Sequence, residues 1–342
     1  MWANPLVRSD SAFLFGKNGS FEFRYFSLGR HALQAGLAAL GVGKGDVVLM
    51  PAFICRDLLA AVSAIQAEVV FYPVDERLVT HSLPDICAVK AVISVNYFGF
   101  PQSLEVFRDY CAKNGAALIE DNAHGFLSRD EDNVPLGARG DIGLLSLRKT
   151  FSIPDGAALL FNRKCGSQKL PAALACREDR LPLSFTVKRI LGAIQNATGI
   201  RVRTVGEKAA RFVRTVSTGH ALPQSLAVSE LEVPGDPAIH CTSLQMLARL
   251  NVVAEVRRRR LLYQSFHREL AGFGIEPIFG NLPDGVCPYG YPFRADIARA
   301  AAVIELAQKR GFDCSTWPDL PSAVADSAPD FYRDVWWINF LC

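Results

Sequence analysis

Short apolar runs alternate with segments of helical periodicity between residues 27 and 162. Leu33, Leu37 and Leu40, for example, share one face of a predicted helix. Alternation of this kind predicts a mainly parallel β-sheet that is covered by helices on both faces. The predicted strands are 46–50, 68–74, 88–96, 116–121, 142–147 and 157–161, and the predicted helices are 30–40, 56–66 and 104–114.

The second half of the chain has a weaker pattern. Residues 165–240 contain many Gly, Pro, Ser and Thr breaks and read as a poorly predicted connecting region. A long helical pattern then covers 244–270 and a second covers 296–310, with strand-like pieces at 275–279 and 289–294. The sequence therefore predicts an α/β protein with a large domain over residues 1–240 and a smaller C-terminal α+β domain over 241–342.

Composition excludes some classes of partner. The chain has 342 residues, of which 50% are hydrophobic and 21% are charged, so it can bury one large core and a smaller one. A net charge of +3 is small for this length, and we expect no nucleic-acid partner. No apolar stretch approaches the ~18 residues of a membrane span, so we expect no membrane partner either. The basic run 257–260 reads as a solvated helix face.

Cysteines occur nine times, without a CxxC pair and without histidines at metal-ligand spacing. This pattern argues against a disulfide scaffold and against a zinc site. The N-terminus carries no basic segment followed by an apolar stretch. A cytoplasmic location is the resulting expectation.

Asp121 and Lys149 are the main candidates for chemistry, because each follows a buried apolar run. Ligands of parallel sheets bind at the carboxyl ends of the strands, where Asn96 is also predicted to lie. A carboxylate opposite an unprotonated amine is the pair that pyridoxal 5′-phosphate (PLP) requires, one for its ring nitrogen and one for its aldehyde. If Asp121 and Lys149 form such a pair, the protein is a PLP enzyme.

Several ordered segments resemble the DegT/StrS-type sugar aminotransferases, which are PLP enzymes of the aspartate aminotransferase fold type I. The similarity is clear from about residue 25 to 162 and weak in the C-terminal third. The segments that carry it are 27–33 (Ser-Leu-Gly-Arg-His-Ala-Leu), 45–48 leading to Pro51, 96–101 (Asn-Tyr-Phe-Gly-Phe-Pro), 121–124 (Asp-Asn-Ala-His), 140–141 (Gly-Asp), Lys149 and 155–157 (Asp-Gly-Ala).

The resemblance implies a role for each residue at a matching position. Lys149 would be the lysine that bonds covalently to the cofactor, and Asp121 the partner of the pyridine nitrogen. His124 stands where the family has Gln or His near the ring oxygen. The remaining positions implied in cofactor binding are Gly29 and Arg30 at a phosphate-binding helix start, Ser146 as a phosphate-binding hydroxyl, and Asn96, where the family often has His.

Each of these residues also has an ordinary structural interpretation. A lysine at a strand end is commonly a solvated flank, and an aspartate there can cap a helix. His124 can be a hydrogen-bonded core histidine, and Gly29 a tight-turn glycine. Ser146 and Asn96 can simply satisfy turns.

The resemblance implies an aminotransferase that acts in sugar biosynthesis as a homodimer. It would move an amino group from an amino acid donor, expected to be glutamate, to a keto acceptor such as a nucleotide-linked keto-sugar. The chain departs from the family in several further places. It has two residues fewer between the phosphate-binding serine and Lys149, it has Asp155-Gly156-Ala157 where the family often has Glu-Gly-Gly, and it lacks the Gly-x-Asn-x-Arg segment. The family's aromatic ring-stacking residue is also missing near Cys55, where Phe53 could supply the stacking instead. These departures keep two alternatives open, a non-transaminating regulatory or assembly protein that binds PLP, and another PLP-dependent sugar reaction.

Overall fold

The computed structural model describes residues 21–162, 170–183, 185–187, 190 and 227–341. Much of the predicted connecting region 165–240 lies outside these residues, including its basic stretch 201–214. Residues 1–20 of the predicted large domain also lie outside them.

The large domain alternates strands and helices as the apolar pattern predicts. Its elements are β1 (Phe21–Phe26), α1 (Gly29–Ala39), β2 (Val47–Pro51), a 3-10 turn (Arg56–Leu58), α2 (Leu59–Ser63), β3 (Glu68–Tyr72), β4 (Val89–Val95), a 3-10 turn (Tyr97–Gly99), α3 (Glu105–Asn114), β5 (Ala117–Asn122), β6 (Ile142–Leu145), α4 (Leu147–Thr150) and β7 (Ala157–Asn162). Strand β1 was not expected from the sequence.

Seven strands form one sheet in the order β1-β7-β6-β5-β4-β2-β3. Strands β3, β2, β4, β5 and β6 run parallel, whereas β7 and β1 are antiparallel to their neighbours. The central strands are apolar along nearly their whole length because helices cover both faces of the sheet. This architecture confirms the predicted α/β fold and brings the carboxyl ends of β4, β5 and β6 to one edge.

The C-terminal region forms a small α+β unit. After a 3-10 turn (Ala227–Glu230), its elements are α5 (Cys241–Leu247), α6 (Val252–Ala271), β8 (Gly290–Arg294), α7 (Ile297–Lys309), β9 (Asp313–Thr316), α8 (Ser322–Ala325), α9 (Asp330–Arg333) and β10 (Val335–Asn339). The order of the three strands is β8-β10-β9, and both pairings are antiparallel. Strands β9 and β10 were not expected.

Two C-terminal predictions differ from the structure. The single helix expected over 244–270 is two helices, because the Asn251 side chain accepts a hydrogen bond from Ala254 N and begins α6 afresh. The strand expected over 275–279 is not one: it makes only an isolated bridge, Pro277 to Phe293. Proline has no N–H to donate to a ladder, which explains the interruption.

Helix α5 packs on the large domain rather than on the small sheet. Its Leu247 joins a buried apolar cluster with Leu147, Phe151 and Ile153 around the start and end of α4. Helix α5 thus packs against residues of the predicted large domain, and the boundary at residue 240 stays a prediction.

A disulfide joins Cys176 to Cys241, a bond that the cysteine pattern did not indicate. The two cysteines are 65 positions apart, and no short spacing motif marks the pair. Arg177 and His240, their immediate neighbours, form a parallel β-bridge, and this bridge brings the two sulfur atoms together.

None of the helices within the described ranges is long and apolar enough to cross a membrane.

Candidate active site

The ends of β5 and β6 open into a pocket of about 100 Å³. Asp121 lies on β5, His124 lies in the turn that follows, and Lys149 lies on the single-turn helix α4 directly after β6. Six of the seven predicted site residues line this pocket: Gly29, Arg30, Asp121, His124, Ser146 and Lys149. The fold therefore brings distant parts of the sequence together as the resemblance implies.

Lys149 points its amine at His124, with Nζ 3.2 Å from Nε2. The short helix that carries it is anchored at its start, where Leu147 N and Arg148 N both donate to Gly156 O at 3.0 and 3.1 Å. Burial is the main cause that lowers the pKa of the Lys149 amine below its ordinary value, because water no longer stabilises the charged form. A larger fraction of neutral amine, the nucleophilic form, follows from this shift.

Asp121 is a buried carboxylate, 6% exposed, at the floor of the pocket. Its Oδ1 accepts a hydrogen bond from Ala123 N at 2.9 Å, and no described residue donates to Oδ2. Burial raises the Asp121 pKa, while the Ala123 N–H and the charge of Lys149 oppose the rise. A cationic group placed against Oδ2 would therefore be strongly favoured.

His124 is held as a flat, neutral ring. It stacks on Tyr289 with ring centroids 4.3 Å apart and meets the edge of Trp317 at 4.9 Å. Burial first, and the charge of Lys149 second, hold the His124 pKa well below its usual range. Its Nδ1 is buried without a hydrogen-bond partner in the described part of the chain, which is a costly arrangement unless a ligand supplies one.

The start of α1 forms another wall of the pocket. Leu28, its N-cap residue, makes no side-chain capping bond, and no acidic residue lies in the first turn, so the first N–H groups of the helix lack a capping partner beside the pocket. A Cβ added at Gly29 would meet only Leu144 Cδ1, at 4.0 Å, so packing within the protein does not require glycine here. Arg30 forms an ion pair with Asp57 at 3.2 Å beside this helix start.

Asn96 does not line the pocket, unlike the other predicted site residues. Its Nδ2 donates to Glu120 Oε1 at 2.8 Å, and its Oδ1 accepts from Gln102 N and from Arg139. Arg139 also pairs with Glu120 at 2.5 Å. The Asn96 side chain is thus fully engaged in a buried polar network behind the strand ends.

Several pocket residues escaped the sequence reasoning. Trp317 reaches the pocket from the small domain, and Cys55 and Arg148 are also part of its lining. Tyr289 does not line the pocket, but its ring stacks on His124, which does. Phe53 does not line the pocket and instead packs against Trp317 at 5.3 Å. Arg148 had a sequence signal in its position next to Lys149, and Cys55 had one in its place near the family's ring-stacking residue. Trp317 and Tyr289 had none, because they lie on loops whose approach to the pocket depends on tertiary packing.

PLP fits the groups that are present. The pyridine nitrogen matches the free oxygen of Asp121, the ring oxygen matches the unpartnered Nδ1 of His124, and the aldehyde matches the Lys149 amine. The phosphate matches the uncapped N-terminus of α1, because free N–H groups and the helix dipole favour an anion there. Ser146, whose hydroxyl makes no capping bond to α4, stands beside it in the lining.

Solved structures of similar fold include an aminotransferase and a dehydratase that was solved with bound PLP. The aminotransferase TlmJ from Streptoalloteichus hindustanus is 19% identical, covers 98% of this chain and 85% of its own, and has a TM-score of 0.64. The GDP-4-keto-6-deoxy-D-mannose-3-dehydratase of E. coli, solved with bound hydrated PLP, is 13% identical, covers 98% and 87%, and has a TM-score of 0.60. The chain therefore has the fold type I architecture.

Sequence comparison gives a more specific likeness. Residues 26–170, less than half of the chain, match the DegT/DnrJ/EryC1/StrS aminotransferase family. The UDP-N-acetyl-3-dehydro-alpha-D-glucosamine 3-aminotransferase of Acidithiobacillus ferrooxidans is 32% identical over 123 residues, which are 34% of this chain and 33% of the relative. The match thus spans about a third of the length of such curated relatives. The resemblance expected from the motifs is confirmed.

Proposed function

We propose that the protein is a PLP-dependent aminotransferase that transfers an amino group from an amino acid to a keto-sugar. The observation that carries the proposal is the placement of Lys149 Nζ 3.2 Å from His124 Nε2. Both residues line the same pocket as Asp121, whose Oδ1 accepts a hydrogen bond from Ala123 N and whose Oδ2 accepts none from the described residues. PLP, when bound, supplies an electron sink that stabilises negative charge at the carbon from which a proton is removed.

Lys149 has two tasks in this proposal. Its neutral amine holds the cofactor covalently until an amino donor displaces it. The released Nζ then takes the proton from the α-carbon of the donor, a task suited to an amine whose pKa is lowered by burial. The same atom returns a proton in the second half of the reaction, when the keto acceptor is aminated.

The other residues orient and polarise the site. Asp121 keeps the ring nitrogen protonated by placing a buried negative charge against it. His124 stays neutral and presents Nδ1 to the ring oxygen, while its stacking on Tyr289 fixes the plane of the imidazole. Gly29, Arg30 and Ser146 surround the phosphate.

The relatives support the substrate class. The Acidithiobacillus relative is named for amination of a UDP-linked dehydro-sugar, and a Vibrio cholerae relative, 27% identical over 143 residues, is a GDP-perosamine synthase. We therefore propose a nucleotide-linked keto-sugar as acceptor and glutamate as donor. A homodimer is part of the same proposal, by analogy with the family.

The E. coli dehydratase of the same fold favours a second candidate, another PLP-dependent sugar reaction. A non-transaminating regulatory or assembly role remains the third. The amine of Lys149, positioned in the pocket, supports transamination over both, because that chemistry needs a lysine that is displaced and restored at each turnover.

A half-reaction assay tests the proposal. The protein is loaded with PLP, freed of excess cofactor and mixed with glutamate, and 2-oxoglutarate and pyridoxamine phosphate are quantified together with the cofactor absorbance. We expect one equivalent of each product per site, and none from Lys149→Ala. Loaded protein that gives no pyridoxamine phosphate with any amino acid donor would support the non-transaminating alternative.

A further inference from the structure

Arg259 is a deeply buried charged residue that the proposed chemistry does not use. It lies on α6 in the C-terminal region and is only 1% exposed. Its Nε donates to Glu255 Oε1, one turn earlier, at 2.6 Å. Burial of a guanidinium is costly unless each donor finds a partner, so the positions of its other donors are informative.

Those donors reach two separate segments of the active site. Nη2 donates to Thr150 O at 2.7 Å, and Nη1 donates to Tyr289 O at 2.9 Å. Thr150 is the last residue of α4, directly after Lys149. Tyr289 is the residue whose ring stacks on His124. One side chain therefore joins the supports of Lys149 and of His124, whose nitrogens lie 3.2 Å apart.

The helix that carries Lys149 needs such support. A helix of four residues is too short to be stable alone, because nucleation costs more than a single turn of hydrogen bonds returns. Its start is tied to Gly156 O through Leu147 N and Arg148 N. Phe151, the residue that follows the helix, donates its N–H to Leu147 O at 2.9 Å and closes the single turn. At its end, the Arg259 guanidinium binds the free carbonyl of Thr150, and a cation is favoured at that pole of a helix.

We propose that Arg259 is a positioning residue that fixes Lys149 against His124 by holding Thr150 O and Tyr289 O together. This role deepens the proposed function and rests on it. Lysine in place of Arg259 keeps the charge but loses the planar fork, and a single ammonium cannot hold two carbonyls and Glu255 in the same geometry. Helix α4 should then loosen, and water should reach the Lys149 amine.

Arg260→Lys is the matched control. Arg260 follows on the same helix and also donates to two carbonyls, of Pro283 and Val286, but it contacts neither Thr150 nor Tyr289. Both variants and the wild-type protein are first studied without cofactor by amide hydrogen exchange. We expect exchange of the Phe151 amide to rise roughly 10-fold in Arg259→Lys, the scale of one lost charge-assisted hydrogen bond, and to stay unchanged in Arg260→Lys.

A second readout separates positioning from general stability. Pyridoxal phosphate and borohydride are added at graded pH, and the pyridoxyl group on Lys149 is quantified by peptide mass spectrometry. Burial lowers the Lys149 pKa, so a loosened, more hydrated amine should have a higher pKa, and the pH midpoint of labelling should rise in Arg259→Lys only. A merely structural role would lower the melting temperature without moving this midpoint. Equal exchange and equal midpoints in the two variants would overturn the assignment.

Glu255→Gln provides the test if Arg259→Lys does not fold. It removes the charge that orients Arg259 through Nε, and we expect the same changes at severalfold smaller size. Arg258→Lys is its control, because Arg258 also binds Glu255 but otherwise donates to Phe340 O. Unchanged Phe151 exchange in Glu255→Gln would contradict the proposal. A wild-type protein that captures no PLP would refute the proposed function instead, and the exchange measurement would still decide the role of Arg259.

Discussion

The large domain and the C-terminal region contribute to the candidate site in different ways. The large domain supplies the groups that would face the proposed cofactor: Asp121 at the end of β5, His124 after it, Lys149 after β6, and the uncapped start of α1. The C-terminal region supplies groups that contact these from outside the pocket floor: Tyr289 and Trp317 pack on His124, and Arg259 binds Thr150 O. The proposed cofactor-binding groups thus lie mainly within the residues that match the family model, and the residues that support them lie outside it.

Asp121→Asn should have the largest effect, a loss of reaction rate, because it removes a negative charge that the large domain would place against the cofactor. The amide cannot keep the pyridine nitrogen protonated, and we expect a loss on the order of 100-fold in the rate of the glutamate half-reaction. The rate is measured by stopped-flow absorbance. Asp46→Asn is the control, since Asp46 Oδ2 only accepts from Gly43 N far from the pocket. A rate within a few fold of wild type would remove Asp121 from the mechanism.

Cys176→Ser tests whether the disulfide outside the pocket stabilises the segments that hold the site together. The disulfide with Cys241 flanks Arg177, which pairs with Asp155 at 2.6 Å next to the loop that anchors α4. Loss of the cross-link should lower the free energy of unfolding by about 2–4 kcal/mol, as measured by urea titration without reductant. Cys87→Ser, at an exposed free cysteine, should change little. A wild-type stability that reductant does not alter would show that the bond does not form.

Asn96→Ala distinguishes a structural role from a cofactor role at the one predicted site residue outside the pocket lining. It leaves Glu120 and Arg139 with fewer partners in a buried network, so the free energy of unfolding should fall by about 1–3 kcal/mol. The affinity for PLP, measured by titration of the folded variant, should stay unchanged. A selective loss of PLP affinity with full stability would restore the cofactor role implied by the family resemblance.

Trp317→Phe should have the smallest effect. The smaller ring keeps an apolar wall but loses part of the edge contact with His124, and the dissociation constant for PLP should rise roughly 3- to 10-fold. Trp336→Phe is the matched control, because Trp336 Nε1 donates to Ala295 O and the ring does not line the pocket. Equal PLP affinities for the two variants would mean that the small domain does not shape the cofactor site.

Much of the large domain was predictable because its parallel strands are apolar runs separated by amphipathic helices. The site residues Asp121 and Lys149 were predictable for a related reason, since polar residues after buried strands meet at one edge of the sheet. Strand β10 was not, because Val335–Asn339 is a short run that becomes a strand only between β8 and β9.

Sequence patterns also failed to predict some positions at the candidate site, because contacts between distant segments determine them. Asn96 follows β4 as the pattern requires, but Glu120 and Arg139 engage its side chain behind the sheet. Trp317 and Tyr289 lie on loops of the C-terminal region, and no local pattern indicates which loop will reach the pocket. Contacts between distant segments decided these positions.

Borohydride trapping tests the central claim, covalent capture of PLP by Lys149, most directly. The folded protein is incubated with equimolar PLP and reduced at graded pH, and peptide mass spectrometry locates the pyridoxyl group. We expect it on Lys149, with a labelling midpoint below the ordinary lysine value of 10.5 because burial lowers the pKa of this amine. Labelling spread over surface lysines, with Lys149 unmodified, would contradict the account.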